Sequence, residues 1–168
     1  MAQTATASVS DVEIFEKYFG TYSTQNAAKL QDLYSSIASH LLIGTVSYEC
    51  MSPSTECDPG DFAYVFRNEP YTLYICSDFF TLPAHTDVPS PPLKIDDMWG
   101  GQEGTFIHEM SHFENVSGTV DEHKGRKIYG RSQCEALAAT EPGSTINIAD
   151  CVQYFAEDVT PPILLEGF

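Results

Sequence analysis

The chain has 168 residues, with 24 acidic and only 8 basic side chains, so its formal net charge is −16 at pH 7. This length suits one domain, residues 1–168, in which we expect 1–10 to be flexible and 159–168 to form a tail. The negative charge repels phosphate backbones and anionic lipid, so neither nucleic acid nor membrane is expected as a partner. No apolar run approaches the roughly 20 residues of a membrane span. The N-terminus lacks the basic start and apolar stretch of a signal peptide, which is typical of a mature chain.

Five segments carry apolar residues at helical spacing. They are 11–19, 25–43, 105–114, about 126–140 and 148–158. Between the second and third segments the period changes to two, which indicates strands. Residues 82–101 hold four prolines and a glycine pair, a composition that favours a long surface loop. The order of helices, a small sheet and again helices predicts an α+β fold.

The strand signals lie at 46–50, 62–66 and 71–75, and the last two flank a turn-forming stretch. We therefore predict a small antiparallel sheet that contains this hairpin. Cys57 precedes the first hairpin strand and Cys76 ends the second. The two cysteines should lie near the same edge of the sheet, so we expect them to form a disulfide.

The chain has five cysteines, none of which belongs to a C-x-x-C pair of the zinc-ribbon or redox type. We interpret them as two disulfides and one unpaired thiol, which favours a secreted protein. The alternative is a cytosolic protein with five buried, reduced thiols.

Residues 108–112 form the motif H-E-x-x-H. Histidines four positions apart lie on one face of a helix, where His108 and His112 can bind one Zn²⁺. Glu109 is then placed to contact a water molecule on the metal, whose proton it can take and pass to a leaving amine. The pattern predicts peptide hydrolysis. The alternative, a solvated helix with chance neighbours, is disfavoured because apolar residues surround the motif.

A catalytic zinc site needs a third protein ligand. The metzincin continuation fails, because Asn115 and Gly118 occupy its glycine and third-histidine positions. A glutamate from a later helix, Glu135 or Glu141, would make a gluzincin-like site. Further candidates lie in the segment 118–123, so the residues by themselves leave the third ligand open.

The residues around this motif resemble those of a known family. The motif lies within residues 104–113, and a G-T-V-D sequence at 118–121 and a Y-G pair at 129–130 follow. Together they resemble the aspzincins, a family of zinc metalloendopeptidases that includes the fungal deuterolysins and, more closely, the peptidyl-Lys metalloendopeptidases. Other segments agree, so the likeness covers about residues 20–160. It implies a mainly helical, zincin-like metalloprotease domain with a small sheet.

The resemblance also implies a ligand set and a catalytic base. His108, His112 and Asp121 would hold one zinc ion per chain, and Glu109 would act first as general base and then as general acid. Asp121 stands nine positions after His112, as the family requires. Two neutral imidazoles and one carboxylate leave the bound zinc with a net positive charge, so it would remain a strong Lewis acid.

The family uses a tyrosine, in a G-T-x-D-x-x-Y-G stretch, to stabilise the oxyanion. In this chain Lys124 stands at that position and the Tyr-Gly pair lies five residues later, which indicates an insertion. We expect Tyr129 to take this role, because inserted residues can bulge out of a fold. Lys124 and His123 are the alternative donors.

Peptidyl-Lys members cut on the amino side of lysine and receive its side chain with acidic residues. Asp150 aligns with one of these acids, while Gln153 replaces the second. A carboxylate binds an ammonium about twice as strongly as a neutral acceptor does, so the resemblance implies a weakened lysine preference. Asp150 could instead be the N-cap of the last helix.

These features predict a secreted, monomeric zinc endopeptidase that hydrolyses peptide bonds and, by the resemblance, has a weakened preference for lysine on the carboxyl side of the scissile bond. Its substrates would be peptides or proteins, and basic ones in particular, because the chain is strongly acidic. The alternative is a zinc-binding or zinc-sequestering protein on the same scaffold, with catalysis weakened by the insertion.

The resemblance also bears on the remaining cysteines. The position of Cys50 is bonded in peptidyl-Lys members to an N-terminal cysteine, and no cysteine precedes Cys50 here. Cys134 and Cys151 could form a bridge of their own, which leaves Cys50 unpaired.

Overall fold

The computed structural model describes residues 1–50, 57–84 and 100–160, and in these residues it shows six α-helices and two small sheets. The helices are α1 (Ala2–Ser8), α2 (Val12–Phe19), α3 (Thr24–Leu42), α4 (Gln102–His112), α5 (Arg131–Thr140) and α6 (Ala149–Val159). The strands are β1 (Ser47–Cys50), β2 (Ala63–Tyr64), β3 (Thr72–Ile75), β4 (Glu122–His123) and β5 (Arg126–Lys127). The α+β class with helices predominating is confirmed. Most of the predicted loop at 82–101 and of the predicted tail at 159–168 lies outside the described residues.

Helix α6 forms the centre of the core, because eight of its residues, from Ala149 to Ala156, are buried. A helix that is buried on all sides needs other elements around it. Here α1, α2, α4 and α5 pack around α6. The ring of Phe155 contacts Phe19 and Tyr34, and the Tyr34 hydroxyl donates a 2.7 Å hydrogen bond to the Val152 carbonyl. None of the described helices is long and apolar enough to cross a bilayer.

The first ten residues differ from the expectation of a flexible start. They form α1, whose Ala5 is fully buried and is followed by the buried Val9. The helix packs on α3 and α6. Its contact side is made of small residues, which bury little area each and produce only a weak apolar periodicity in the sequence.

The three-stranded sheet has the order β1-β3-β2. Strands β2 and β3 are antiparallel, as the predicted hairpin requires, but β1 is parallel to β3, so the prediction of a purely antiparallel sheet is wrong for β1. Parallel neighbours need a crossover connection rather than a tight turn, and the long segment between β1 and β3, which includes β2, supplies it. The predicted disulfide between Cys57 and Cys76 is confirmed and ties the hairpin to its flanking segment.

The second sheet is a hairpin of β4 and β5 in the stretch that the spacing marks as an insertion. Its two-residue turn, Lys124-Gly125, has φ values of 51° and 77°. Two consecutive positive φ angles are typical of the type I′ turn that joins antiparallel strands. The helix predicted from about residue 126 therefore begins only at Arg131, because β5 precedes it and Gly130, with φ 85°, starts α5.

The second predicted disulfide, Cys134–Cys151, is also confirmed and joins α5 to α6, while Cys50 is free and exposed. The bridge closes a loop with a sequence separation of 17 residues. Replacing both Cys134 and Cys151 by Ala should lower the free energy of unfolding by about 3 kcal/mol, because the unfolded chain regains the entropy of that loop. Urea unfolding followed by circular dichroism measures the change.

Cys50→Ser is the matched control, and it should leave the unfolding midpoint unchanged because the side chain is exposed and unpaired. Equal stability of wild type and the Cys134→Ala/Cys151→Ala double variant would contradict the assigned contribution of the bridge.

Candidate metal centre

The H-E-x-x-H motif lies at the C-terminal end of α4, which ends at His112. The opposite side of this helix is anchored in the core by Ile107 and Met110, and by Phe113 directly after its end. The centroids of the His108 and His112 rings are 4.9 Å apart, as expected for residues one helical turn apart. The helix therefore presents both imidazoles on one side.

Asp121 reaches these histidines because the chain reverses after α4. Gly118 has a positive φ of 65°, and the Thr119 N–H then donates to the Ser111 carbonyl at 3.1 Å. Next, Val120 forms a parallel bridge with Ile148, just before α6. This bridge fixes Asp121 beside α4, so that one ligand atom from each of His108, His112 and Asp121 lies within 4.8 Å of the others.

The second nitrogen of each imidazole decides which atom faces Asp121. The Nδ1 of His112 lies 2.9 Å from the Thr119 carbonyl oxygen, which can only accept, so Nδ1 carries the hydrogen. The Nδ1 of His108 lies 2.9 Å from Oδ1 of the Asp150 carboxylate, which likewise accepts. In the neutral imidazoles both Nε2 atoms are then bare acceptors. Such partners on the outer nitrogen are typical of histidines that bind metal.

These bare nitrogens converge on an oxygen. Oδ1 of Asp121 lies 3.1 Å from Nε2 of His108 and 3.4 Å from Nε2 of His112. This oxygen is buried and has no hydrogen-bond donor among the described residues. Three acceptor atoms facing each other repel unless a cation lies between them, and two imidazoles with one carboxylate are a usual donor set for zinc. The described residues therefore fit a zinc ion.

When no metal ion is bound, the side chains of the site compete for protons instead. Burial raises the pKa of Asp121, but an imidazole of His108 or His112 that gains a second proton donates to its carboxylate, and this hydrogen bond and charge hold the pKa of Asp121 below its usual range. Although burial lowers the pKa of His108, contacts with Asp121 and Asp150 raise it well above its usual value. A proton and a metal ion thus compete for the same electron pairs.

Glu109 lies beside the three ligands without being one of them. Only 7% of its surface is exposed. Burial raises the pKa of Glu109 to about 7, although the neighbouring His108 and His112 oppose the shift. A carboxylate whose pKa lies near neutrality can both accept and return a proton at physiological pH, which is what general acid-base catalysis needs.

The three proposed ligands and Glu109 line one open cavity of about 450 Å³. The seven predicted site residues are all in its wall: His108, Glu109, His112, Asp121, Tyr129, Asp150 and Gln153. Residues 60–65 also line the cavity, and they include β2, one of the two edge strands of the larger sheet. The site is therefore a cleft between an edge strand and α4, which carries both histidines and is called the metal helix below.

The other candidates lie outside this cavity wall. Glu135 pairs with Lys17 at 3.4 Å. Glu141 accepts hydrogen bonds from Lys124 at 2.6 Å and from His123 at 3.0 Å. The structure thus brings Asp121, and neither of these glutamates, to the histidines. The alternative oxyanion donors His123 and Lys124 both bind Glu141 instead of reaching into the cavity wall.

Asp150 acts as a support for the ligand His108. One of its oxygens faces Nδ1 of His108, and the other accepts a 2.7 Å hydrogen bond from the Gly130 N–H. It is not the N-cap of α6, because that position is Ile148 and Asp150 lies in the first turn. Its carboxylate thus links the metal helix to the start of α5.

Glu157, which lies one turn after Gln153 on α6, is not among the site residues predicted from the sequence. Its Oε1 accepts hydrogen bonds from Nε2 of Gln153 at 2.9 Å and from the Gly101 N–H at 3.0 Å. Oε2 binds Arg131 at 2.7 Å. Burial raises the pKa of Glu157, although these partners oppose the shift. Glu157 therefore caps the N-terminus of α4 from another helix, where the helix dipole favours negative charge.

A sequence signal for Glu157 exists in the glycines near the start of α4. A Cβ on Gly104 would lie 1.8 Å from Oε1 of Glu157, and a Cβ on Gly100 would lie 2.5 Å from the same atom. A side chain at either position would push the Glu157 carboxylate away from its present place. The spacing of the glycines therefore indicates a close approach, but not which residue makes it.

Arg67 was also missed, and it supports the opposite end of α4. Its Nη2 donates to the Gly118 carbonyl at 2.8 Å, and its Nε lies 3.4 Å from the His112 carbonyl. A cation at a helix C-terminus binds the carbonyls that lack partners within the helix. Arg67 thus connects the hairpin after β2 to the turn that leads to Asp121. Nothing in the sequence pattern marks it.

A helix with H-E-x-x-H, a third ligand from the chain that follows it, and a cleft flanked by an edge strand define a zincin-type metallopeptidase site. Comparison with known proteins agrees. The family model described as lysine-specific metallo-endopeptidase, the aspzincin family, matches residues 4–157. The chain therefore belongs to the aspzincin family, and the resemblance inferred from the motif is confirmed.

Individual relatives give the same result. The chain is 31% identical over 144 residues to an extracellular protease of Aeromonas hydrophila and 32% identical over 142 residues to a peptidyl-Lys metalloendopeptidase of Armillaria mellea, matches that cover 86% and 84% of this chain. It spans only about a third of the length of those two proteins, 35% and 34% respectively. A zinc peptidase from Grifola frondosa superposes with a TM-score of 0.68 and 27% identity, covering 94% of this chain and 88% of that one.

The ligand assignment predicts that Asp121→Ala removes tight zinc binding, because two imidazoles alone leave the ion without a charged ligand. Zinc content after dialysis, measured by mass spectrometry of the metal, should fall from about one ion per chain to near zero. Glu135→Ala is the matched control and should retain zinc, since Glu135 pairs with Lys17 instead. The reverse pattern would contradict the assignment and favour a gluzincin-like site.

Proposed function

We propose that this chain is a secreted, single-domain zinc endopeptidase that hydrolyses peptide bonds with a metal-activated water molecule. The observation that carries the proposal is the convergence of three acceptor atoms from His108, His112 and Asp121 beside the buried Glu109. Two disulfides support secretion. We expect one zinc ion per chain, a monomeric protein, and one domain formed by residues 1–168 of this chain.

The roles of the residues follow from their places in the cleft. When bound, zinc would acidify a water molecule and polarise the scissile carbonyl. Glu109, which is buried beside the ligands without being one of them, takes the proton of the attacking water and returns it to the leaving nitrogen. Tyr129 lines the same cavity and is 41% exposed, so its hydroxyl can donate to the oxygen that becomes negative during attack. Asp150 and the Thr119 carbonyl hold the two imidazoles in position.

The shape of the cleft favours an extended peptide as substrate. Strand β2 lies at the edge of its sheet and in the cavity wall. An extended peptide can add to such an edge as a further strand, with main-chain hydrogen bonds that hold the scissile bond in place. The net charge of −16 attracts basic peptides at low ionic strength.

We further propose that lysine is preferred after the scissile bond, but only weakly. Both oxygens of Asp150 are occupied, by His108 and by Gly130. Gln153 offers the cavity a neutral amide, and the negative charge of Glu157 lies behind it, 2.9 Å from its nitrogen. A lysine ammonium would therefore meet a neutral acceptor polarised by a carboxylate, which binds less strongly than the carboxylate itself.

The role of Glu109 predicts that Glu109→Gln keeps zinc and loses proteolysis. Without a proton acceptor the cleavage rate of casein should fall by about 10² to 10⁴-fold, while zinc content stays at about one ion per chain. Glu114→Gln, a change at an exposed site just after α4, is the control and should cleave normally. Unchanged cleavage by Glu109→Gln would sink the assigned role. Tight zinc retention without turnover by wild type would support a zinc-sequestering protein instead.

The lysine subsite predicts the result of a charge-conserving exchange. The double variant Gln153→Glu/Glu157→Gln keeps the hydrogen bond between the two positions but moves the carboxylate one helical turn, to the cavity wall. The ratio of kcat/KM for lysine against norleucine after the scissile bond should rise about tenfold, because a charged acceptor replaces a neutral one. A peptide library analysed by mass spectrometry measures the ratio. An unchanged ratio would show that this wall does not receive the side chain.

A further inference from the structure

The hairpin formed by the inserted residues ends beside Tyr129. Lys127, in β5, precedes Tyr129 by two positions, and residues at this spacing in an extended chain point to the same side. The ammonium of Lys127 lies 3.2 Å from the Tyr129 hydroxyl oxygen and 5.4 Å from the centroid of the tyrosine ring. The insertion therefore brings a cation to the hydroxyl group of a tyrosine that lines the same cavity as the metal centre.

The direction of this hydrogen bond follows from the two groups. An ammonium has three N–H donors and no acceptor, so Lys127 donates and the Tyr129 oxygen accepts. The hydroxyl hydrogen of Tyr129 is then left for another acceptor. A hydroxyl that accepts from a cation becomes a better donor, because each hydrogen bond polarises the next.

The hairpin is held in place by contacts of its own. Lys124 and His123 both bind Glu141 at the C-terminal end of α5. Behind the hairpin, the Ile128 N–H donates to the carbonyl of the ligand Asp121 at 2.9 Å. Lys127 is thus presented by an anchored element that continues directly from a metal ligand.

We propose that Lys127 is a positioning residue that acts through Tyr129: it orients the phenol hydroxyl and strengthens it as a donor to the oxygen of the scissile carbonyl. This inference rests on the proposed peptidase function and on the role of Tyr129. The hydrogen bond with Tyr129, and the charges of Asp121 and Glu122, raise the pKa of Lys127, so its side chain remains an ammonium at neutral pH. The inserted hairpin would then assist catalysis rather than weaken it.

A double-mutant cycle on the zinc-loaded full chain tests this coupling. Lys127→Met should lower kcat about tenfold with little change in KM, since the tyrosine donor acts on the transition state. In the Tyr129→Phe background the same change should have no further effect. Lys127→Arg should restore most of the rate. Equal losses in both backgrounds would show that Lys127 acts independently of Tyr129 and would overturn the proposal.

Binding of a transition-state analogue gives a second readout that needs no turnover. A phosphinic peptide places a charged oxygen where the oxyanion forms. Its affinity is measured by calorimetry for wild type, Lys127→Met, Tyr129→Phe and the double variant. Lys127→Met should weaken binding about tenfold when Tyr129 is present and not at all in Tyr129→Phe. Unchanged affinity, or no binding to wild type, would overturn the inference.

Two controls separate this result from other failures. Arg126→Met removes a neighbouring cation that bonds Gln133 at 3.3 Å, and it should leave kcat and analogue affinity unchanged. Urea unfolding checks that Lys127→Met folds like wild type. If wild type hydrolyses no peptide, the proposed function is wrong, and the binding cycle alone decides whether Lys127 acts through Tyr129.

Discussion

The structure depends on three electron-pair donors, from His108, His112 and Asp121, that are held close together and need a cation between them. The Thr119 carbonyl and the Asp150 carboxylate take the Nδ1 hydrogens of His112 and His108, so both Nε2 atoms turn as bare lone pairs toward Asp121. Without a proton or a metal ion between them the arrangement costs free energy, because lone pairs and a carboxylate charge face each other in a buried place. A divalent cation converts the same geometry into three bonds, and for that reason the cleft is better explained as a metal centre than as an ion-pair network.

The surrounding fold holds those atoms at fixed positions. The metal helix α4 is capped at its start by Glu157 from α6 and at its end by Arg67 from the hairpin after β2. Helix α6 also carries Asp150, so the central core helix supports the ligand His108 as well. Because the helix is fixed at both ends by residues far away in sequence, a change in the packing of α6 would move the ligands. The packing of the core and the positions of the metal ligands therefore depend on each other.

Much of the fold and of the metal site could be predicted from the sequence, and there are physical reasons why the rest could not. The H-E-x-x-H spacing predicts which nitrogens share a helix face, because the helical period is fixed. It cannot choose among Asp121, Glu135 and Glu141, since that choice depends on the turn at Gly118 and on a bridge to residues before α6; only the family motif pointed to Asp121. A period of two indicates strands but not their direction, so the parallel pairing of β1 was missed. Helix α1 was missed because its buried face consists of small residues, and Glu157 because a charged residue on a helix is usually solvated.

The account is tested most directly by anomalous X-ray diffraction at the zinc absorption edge, on crystals of zinc-loaded protein. We predict one strong peak about 2.0–2.2 Å from Nε2 of His108, Nε2 of His112 and a carboxylate oxygen of Asp121, with Glu109 facing it but not coordinating it. A map with no peak between these three side chains, or with the ion bound by other residues, would contradict the claim that they form the metal centre.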